Sequence, residues 1–338
     1  MENKVYAYHI GIDVSKRTLD VAVYSRDQLV VSFQVSNDKE GFKKLVKELS
    51  NNNVDPTKAL FCAEKTGDYS NKLAAYLYVK EYAYWEEAPI KIKRSMGLQR
   101  GKNDKIDACR IALYAYRFQD LVQLWEPKGP VLTKMEQLSS FRTLLIKIQI
   151  MLTVFLSEKK VCAVDYSSIS LLSGCCKLIN KTLGLVLSRV DQRLESLVKQ
   201  DQELHEKYQW SMSVPGIGKV GAMALLIKTS AYKHVGNAKQ LCCFMGIAPF
   251  EYSSGSSVRG KTRVSNHGDK TLKSLIHMGS LSAIRYSEEI GAYYERKVGE
   301  GKSKMSVINA VRNKIVSRVY ACVRDGRMYE EDYNRKAS

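Results

Sequence analysis

The chain has 338 residues, with 53 Lys and Arg against 35 Asp and Glu, a formal net charge of +18 and 45% hydrophobic residues. This length predicts two or three domains, and the basic excess favours a polyanionic partner, with nucleic acid preferred to an anionic membrane. We expect no membrane segment, because no apolar run approaches the length that spans a bilayer and no signal peptide opens the chain. The eight cysteines show no CxxC, zinc-ribbon or disulfide spacing, which predicts reduced thiols in a cytosolic protein.

Residues 1–125 alternate between β-rich and helical stretches, which predicts an α/β domain. Two β-rich runs at 9–14 and 18–24, joined by a tight polar turn, predict an opening hairpin, and 29–35 predicts its third strand. The pattern continues with predicted helices at 39–49, 69–79 and 104–118, predicted strands at 59–64 and 82–85, and a basic connector at 91–103.

Residues 126–208 are predicted to form a helical middle region, because apolar residues recur there with 3-4 spacing over two long stretches. The pattern fits an intramolecular helical hairpin and a dimeric coiled coil equally well. We expect the bend between the helices near Gly174-Cys175-Cys176, and we expect Asp191 and Glu195 to lie on a solvated face.

Residues 209–338 are predicted to be mostly helical, ending in a basic helix over 305–323 that contains Arg312. The segment Val214-Pro215-Gly216-Ile217-Gly218-Lys219 precedes a predicted helix at 222–227 and resembles the hairpin of helix-hairpin-helix DNA-binding modules. Its glycines can leave backbone N–H groups facing a phosphate at the helix N-terminus. A plain loop-to-helix turn is the competing interpretation.

Four acidic residues follow a pattern that suits a metal centre. Asp13 lies inside an apolar strand, Glu64 closes the apolar run at 59–64, and Asp104 and Asp107 lie three residues apart at the start of a helix. An i, i+3 pair shares one helical face, and carboxylate oxygens from two strands and a helix suit Mg²⁺. Any one of these acids alone would be read as a solvated surface charge, but together, in a basic protein, they predict a Mg²⁺ site for phosphoryl transfer.

The sequence around these acids resembles a known family. Gly11-Ile12-Asp13-Val14-Ser15, Glu64-Lys65-Thr66-Gly67 and Lys102-Asn103-Asp104-Lys105-Ile106-Asp107 look like the DEDD motifs of the bridge-RNA-guided serine transposases of insertion sequences, whose relatives are the pilin-gene invertases. The resemblance implies an RNase H-like (RuvC-like) domain at 1–125, a coiled-coil region at 126–208 and a transposase domain at 209–338. It also implies a cytoplasmic, nucleoid-associated prokaryotic protein.

The resemblance continues in the C-terminal half through Gly246-Ile247-Ala248-Pro249 and the stretch from Ser253 to Ser265. It implies that Ser254 attacks the DNA phosphate and forms a phosphoserine linkage, with Ser253 as the neighbouring competitor. Without the resemblance, residues 253–257 read as a flexible polar loop. One departure is Asn266, where the family usually has a lysine. The residues expected to contact nucleic acid are Lys102, Gly216, Gly218, Lys219, Arg259, Lys261 and Arg263.

We therefore expect a DNA recombinase that moves or inverts a mobile element. The resemblance implies three further features: Mg²⁺ as cofactor, a noncoding bridge RNA that pairs with donor and target DNA, and a homo-oligomer. Three alternatives stay open: a RuvC-like nuclease that uses water, a non-catalytic nucleic-acid-binding protein with structural acids, and a protein-guided DNA invertase.

Overall fold

A computed structural model describes residues 5–65, 67–95, 97, 104–161, 166–254 and 258–331, with the side chains of 104, 105, 160, 161, 166, 167, 251–254 and 258–262 left out of the description. The chain forms two compact units, Met1–Pro127 and Lys128–Ser338. The three domains expected from the sequence stay a prediction.

The first unit is built on a five-stranded mixed sheet in the order β3-β2-β1-β4-β5. The strands β1, β2 and β3 pair antiparallel, and β4 and β5 run parallel to β1. The predicted hairpin and third strand are confirmed, and the arrangement is that expected of an RNase H-like sheet. The strands are β1 Tyr8–Val14, β2 Thr18–Ser25, β3 Gln28–Ser36, β4 Ala59–Glu64 and β5 Ala83–Glu87.

Helices cover both faces of this sheet, and they are α1 Lys39–Asn51, α2 Asn71–Val79, α3 Pro89–Ser95 and α4 Asp104–Arg117. Because strand residues alternate between faces, Ile10 and Ile12 pack in the core that α1 and α2 cover. Gly11 on β1 faces α4 instead. The connector predicted at 91–103 is partly wrong, because 91–95 continue α3; residues 98–103 lie outside the described residues.

The second unit is mostly helical, as predicted, with one added two-stranded sheet. Its elements share a core that includes Leu145, Leu194, Leu226, Ile276 and Val311. They are α5 Pro130–Val161, α6 Tyr166–Lys199, α7 Gln202–Met212, α8 Lys219–Lys228, α9 Ala238–Phe244, β6 Pro249–Ser254, β7 Val258–Val264, α10 Lys270–Tyr286, α11 Glu288–Gly299 and α12 Lys304–Asp325.

The two long helices α5 and α6 pack against each other within the chain, where Arg142 Nε donates to Asp191 Oδ1 over 2.6 Å. Asp191 and Glu195 were expected on a solvated face, and their side chains are 45% and 37% exposed; each also makes an ion pair between helices, Glu195 with Lys219. The expected bend near Gly174 is wrong: that glycine lies inside α6, a helix of 34 residues, where the roughly 1 kcal/mol that one glycine costs does not end the helix. A dimeric coiled coil stays a prediction.

The same two helices correct the expectation that no run approaches the length of a membrane span. By length and composition alone, Pro130–Lys159 and Ser168–Lys199 could each cross a bilayer, and only 6% of the most apolar window of each is buried. Two such helices are weak grounds for a membrane protein, because apolar length is also found in the helices of soluble proteins.

A carboxylate network joins α11, α12 and the segment after α12. Glu289 accepts from Arg318 and from the Tyr329 hydroxyl at 3.0 Å, and Lys314 Nζ lies 3.5 Å away. Burial opposes ionisation of Glu289, but Arg318, Tyr329 and Lys314 outweigh burial and hold its pKa below the ordinary 4.5.

We expect Glu289→Gln to lower the free energy of unfolding of the protein at pH 7 by about 1–3 kcal/mol, because two cations lose their charged partner. A depressed carboxyl pKa stabilises the fold above the unfolded pKa, so the difference should shrink as pH falls below about 4.5. Urea unfolding at pH 7 and pH 3.5 measures this, with the exposed neighbour change Glu288→Gln as control. Equal stability of Glu289→Gln and wild type at pH 7 would contradict it.

Candidate active site

Asp13 lies near the carboxyl end of β1, on the face covered by α4. It is half-buried and stands directly opposite Asp20 of β2 in the antiparallel register. Directly opposed residues of antiparallel strands share one face of the sheet, with Cβ atoms about 4.5–5.5 Å apart. The sheet therefore presents two acidic residues side by side at the carboxyl end of β1.

Glu64 is the last residue of β4, the parallel neighbour of β1. The register Ile12↔Ala63 brings Glu64 to the strand position beside Asp13. Burial raises the pKa of Glu64, and the negative charges of Asp13 and Asp107 raise it further. Carboxylates from two strands and a helix are thus close enough to repel one another, as expected where a cation would bind between them.

Asp107 comes from the first turns of α4, and a glycine on β1 fixes how closely this helix approaches the sheet. A Cβ on Gly11 would lie 2.1 Å from Ala108 O and 2.3 Å from Ala112 N. The backbone of α4 therefore rests on the backbone of β1 at Gly11, two residues before Asp13. Arg110 Nη1 donates to Asp107 Oδ1 at 2.6 Å and offsets part of its charge.

Asp104 is the first residue of α4, and its side chain is among those left out of the description, while Lys102 lies outside the described residues. Among the described residues, no three His, Cys, Asp or Glu side chains stand close enough to hold a metal ion. The donor chemistry nonetheless fits a divalent cation, because Asp13, Glu64 and Asp107 supply carboxylate oxygens whose mutual repulsion a cation would relieve.

Sequence reasoning missed two further acids on this face. Asp20 is only 5% exposed, and Gln34 Nε2 donates to both of its carboxylate oxygens at 3.0 Å. Glu87 ends β5 next to Glu64 and accepts from Lys91 Nζ at 3.1 Å and Tyr114 OH at 3.2 Å. The alternating apolar pattern of β2 could have flagged Asp20, because its acid interrupts a buried strand.

Ser254 ends β6, and β6 and β7 form an antiparallel hairpin in the second unit. The register pairs Ser254 with Val258 and Ser253 with Arg259. The expected flexible loop is therefore wrong for 253 and 254, which are strand residues, and 255–257 lie outside the described residues. Strand pairing thus holds the backbone of these two positions in a regular hairpin.

The base of this hairpin is anchored to α12 and α10. Asn309 Nδ2 and Asn313 Nδ2 both donate to Ile247 O at 3.0 Å, two residues before β6 begins. After β7, a Cβ on Gly268 would lie 2.2 Å from Gly246 N, so the two ends of the hairpin meet backbone to backbone. The hairpin thus projects from a rigid base.

The segment that resembles a helix-hairpin-helix turn opens α8 as predicted. Gly216 has φ +92°, and Gly218 begins the helix without a capping side chain. A cavity of about 510 Å³ lies between this segment and α10. Lys219, predicted to contact nucleic acid, donates to Glu195 at 2.8 Å. The motif assignment itself stays a prediction.

The remaining predicted contact residues lie on β7. Arg259 and Lys261 belong to β7, although their side chains are outside the description, and Arg263 is exposed. Asn266, at the position where the family usually has lysine, is exposed too.

Comparison with protein families gives two matches, one that covers most of the first unit and continues into α5, and one that lies within the second unit. A model of the DEDD transposase of IS110 elements matches residues 10–153, and a model of the transposase IS116/IS110/IS902 family matches residues 209–295.

The sequence identity to individual proteins is low. The chain is 25% identical over 335 residues to the pilin gene-inverting protein of Moraxella bovis, covering 96% of this chain and 98% of that protein. It is 26% identical over 161 residues to an uncharacterized 43.6 kDa protein of insertion element IS110 from Streptomyces coelicolor, covering 47% and 40% of the two chains. Among solved structures, T. thermophilus RuvC in complex with a Holliday junction substrate matches with 12% identity and a TM-score of 0.27, covering 36% of this chain and all of that one.

The DEDD match covers the β-sheet unit from residue 10 and most of α5, and the second match covers the hairpin that holds Ser254 and the helices around it. The two matches, over residues 10–153 and 209–295, make the chain similar to IS110-family transposases and support a transposase of that kind with a DEDD domain in its N-terminal part.

Proposed function

We propose that this protein cuts and rejoins DNA strands to move or invert a mobile element. The observation that carries the proposal is the placement of Glu64 beside Asp13 at the carboxyl ends of β4 and β1, where the charges of Asp13 and Asp107 raise its pKa, in a chain with a net charge of +18. An acid-rich centre in a basic protein is suited to phosphodiester chemistry, because the basic surface attracts the polyanion and the acids hold the cation that the reaction uses.

Asp13, Glu64, Asp104 and Asp107 would hold Mg²⁺, which when bound offsets charge on the phosphoryl oxygens. The nucleophile and the cations that neutralise neighbouring phosphates are residues of this chain. Ser254 Oγ gives up its proton and bonds to phosphorus, one P–O ester bond breaks, and the departing deoxyribose oxygen takes up one proton and leaves as a hydroxyl, so that no net proton is gained or lost. Reversal of these steps with another strand end rejoins the DNA. Arg259, Lys261 and Arg263 would neutralise neighbouring phosphates.

A bridge RNA as guide and a homo-oligomer as the working form belong to the same proposal. If base pairing selects the sites, the protein needs to read mainly backbone charge and shape. Inversion of a DNA segment without RNA is the second candidate, favoured by the similarity to the pilin gene-inverting protein over 96% of this chain. RNA that co-purifies with the protein and is needed for cutting would count against it.

The test is denaturing electrophoresis of the protein with labelled element-junction DNA, Mg²⁺ and RNA transcribed from the element's flanks. We expect a protein–DNA adduct with wild type and with Ser253→Ala. It should be absent with Ser254→Ala, which lacks the nucleophile, and with Asp107→Asn, which lacks an acid of the centre. Ser253→Ala is the matched control, since it removes the same hydroxyl one position away. Cutting without an adduct that survives in Ser254→Ala would indicate a water-using nuclease instead.

A further inference from the structure

Among the residues that the structure describes, no acid pairs with one buried arginine of the second unit. Arg312, on α12, is 7% exposed, yet the hydrogen bond made by its guanidinium goes to a neutral acceptor, His277 Nδ1 on α10, at 2.5 Å. Its buried Nε has no hydrogen-bond partner. A guanidinium stays protonated in proteins, and a buried charge without an opposite charge is costly.

Two acids at the helices that pack against α12 are paired with other cations. Asp269 caps α10 and pairs with Lys228 at 3.5 Å, and Glu289 is shared by Lys314 and Arg318. The helix α10 itself contains Lys270, Lys273 and Arg285 but no Asp or Glu. Among the described residues, the pair of Arg312 and His277 is therefore a positive site without its counter-charge.

The imidazole extends this site toward the surface. Because a guanidinium can only donate, His277 Nδ1 must accept, which places the ring proton on Nε2. Burial, and then the charge of Arg312, lower the pKa of His277, in keeping with a neutral ring. The ring is half-exposed, so the pair offers N–H donors backed by a full positive charge, which is the chemistry that binds an anion.

The position of the pair suggests which anion it binds. Asn309 and Asn313, within one turn of Arg312 on α12, hold the carbonyl of Ile247 at the base of the hairpin that carries Ser254. We propose that Arg312 and His277 bind a backbone phosphate of a nucleic acid strand that runs past the base of this hairpin. The identity of the anion as a nucleic-acid phosphate rests on the proposed function, whereas the existence of an anion site does not.

The test uses the full chain and three variants. Arg312→Met keeps the length of the side chain but removes its charge, and His277→Leu removes the outward donor. Arg324→Met is the matched control: it makes the same change on the same helix, at an exposed arginine paired with Asp325 at 2.7 Å. Two measurements are made, the affinity for double-stranded DNA and for single-stranded RNA across a salt series, and the rise of Tm on adding inorganic phosphate.

We expect Arg312→Met and His277→Leu to weaken binding of one of the two nucleic acids about tenfold at physiological salt. Loss of one phosphate contact should also reduce the slope of log K against log salt by about 1 in Arg312→Met. Removing an unpaired buried charge should leave its Tm without phosphate equal to or above that of wild type, and phosphate should stabilise it less. Arg324→Met should match wild type in the phosphate response.

Each other outcome has a defined meaning. A lower Tm in Arg312→Met, with unchanged salt slope and unchanged phosphate response, would make Arg312 a structural residue and overturn the proposal. A phosphate response that depends on Arg312, in a wild-type protein that binds neither DNA nor RNA, would keep the anion site but reject the nucleic-acid phosphate and the proposed function. Which nucleic acid loses affinity shows whether the phosphate belongs to DNA or to RNA.

Discussion

Gly11→Ala should unfold or loosen the first unit and abolish DNA cutting. The added Cβ would lie 2.1 Å and 2.3 Å from backbone atoms of α4, which cannot rotate away as a side chain could. The helix must lift off the sheet, at a cost of about 1–3 kcal/mol for overpacking, and Asp107 moves with it, away from Asp13 and Glu64. Thermal unfolding followed by circular dichroism should show a Tm lower by roughly 5–15 °C.

The control for this change is Gly184→Ala, in the long helix α6. Its added Cβ would meet no atom within 4 Å, so the substitution should raise helix stability by up to about 1 kcal/mol. A Gly11→Ala protein with unchanged Tm and full cutting activity would show that α4 does not rest on β1 as described.

Glu64→Gln should raise the stability of the protein slightly and slow DNA cutting. Burial and the neighbouring charges of Asp13 and Asp107 raise the pKa of Glu64, so its ionised form is disfavoured in the fold above the unfolded pKa of the group. Removing the charge at pH 7 should therefore raise the Tm slightly. The same change removes a cation ligand and should slow cutting by roughly 10²- to 10⁴-fold.

The rise of Tm on adding divalent cations distinguishes a metal-binding role of Glu64 from a purely structural one. Mg²⁺ or Mn²⁺ should raise the Tm of wild type by binding to the folded form, and this rise should be smaller in Glu64→Gln. The exposed Glu126 gives a matched control, because Glu126→Gln removes the same charge from the same unit. If Glu64→Gln lowers the Tm and leaves the cation response intact, Glu64 is a structural acid and the metal centre lies elsewhere.

The elements that position the acids could be predicted because each has a local signal. The run that ends in Glu64 coincides with β4, and the helix that carries Asp107 begins at the predicted residue. Asp20 was missed because its importance depends on the register between β1 and β2, which places it opposite Asp13. Register is a property of two paired strands, and the sequence of one strand indicates it only indirectly.

Contacts between distant segments could not be predicted at all. Arg312 reads as one more basic residue of a surface helix, and His277 lies 35 positions away on another helix. The bend placed at Gly174 failed for a similar reason: glycine weakens a helix by only about 1 kcal/mol, which neighbouring turns outweigh. The resemblance identified Ser254, but only the pairing of β6 with β7 shows it on a strand.

The two edges of the five-stranded sheet differ in how they meet solvent. At β5, Trp125 N donates to Tyr84 O at 2.7 Å, and Leu124 bridges to Trp85, so the chain itself closes that edge. At the opposite edge, β3 runs for nine residues without a charged side chain or a proline, and Leu29 and Val30 on it are exposed. Natural proteins use charges and prolines to keep such edges from pairing with foreign strands. The outer edge of β3 is therefore open to pairing with foreign strands when the protein is overproduced or partly unfolded.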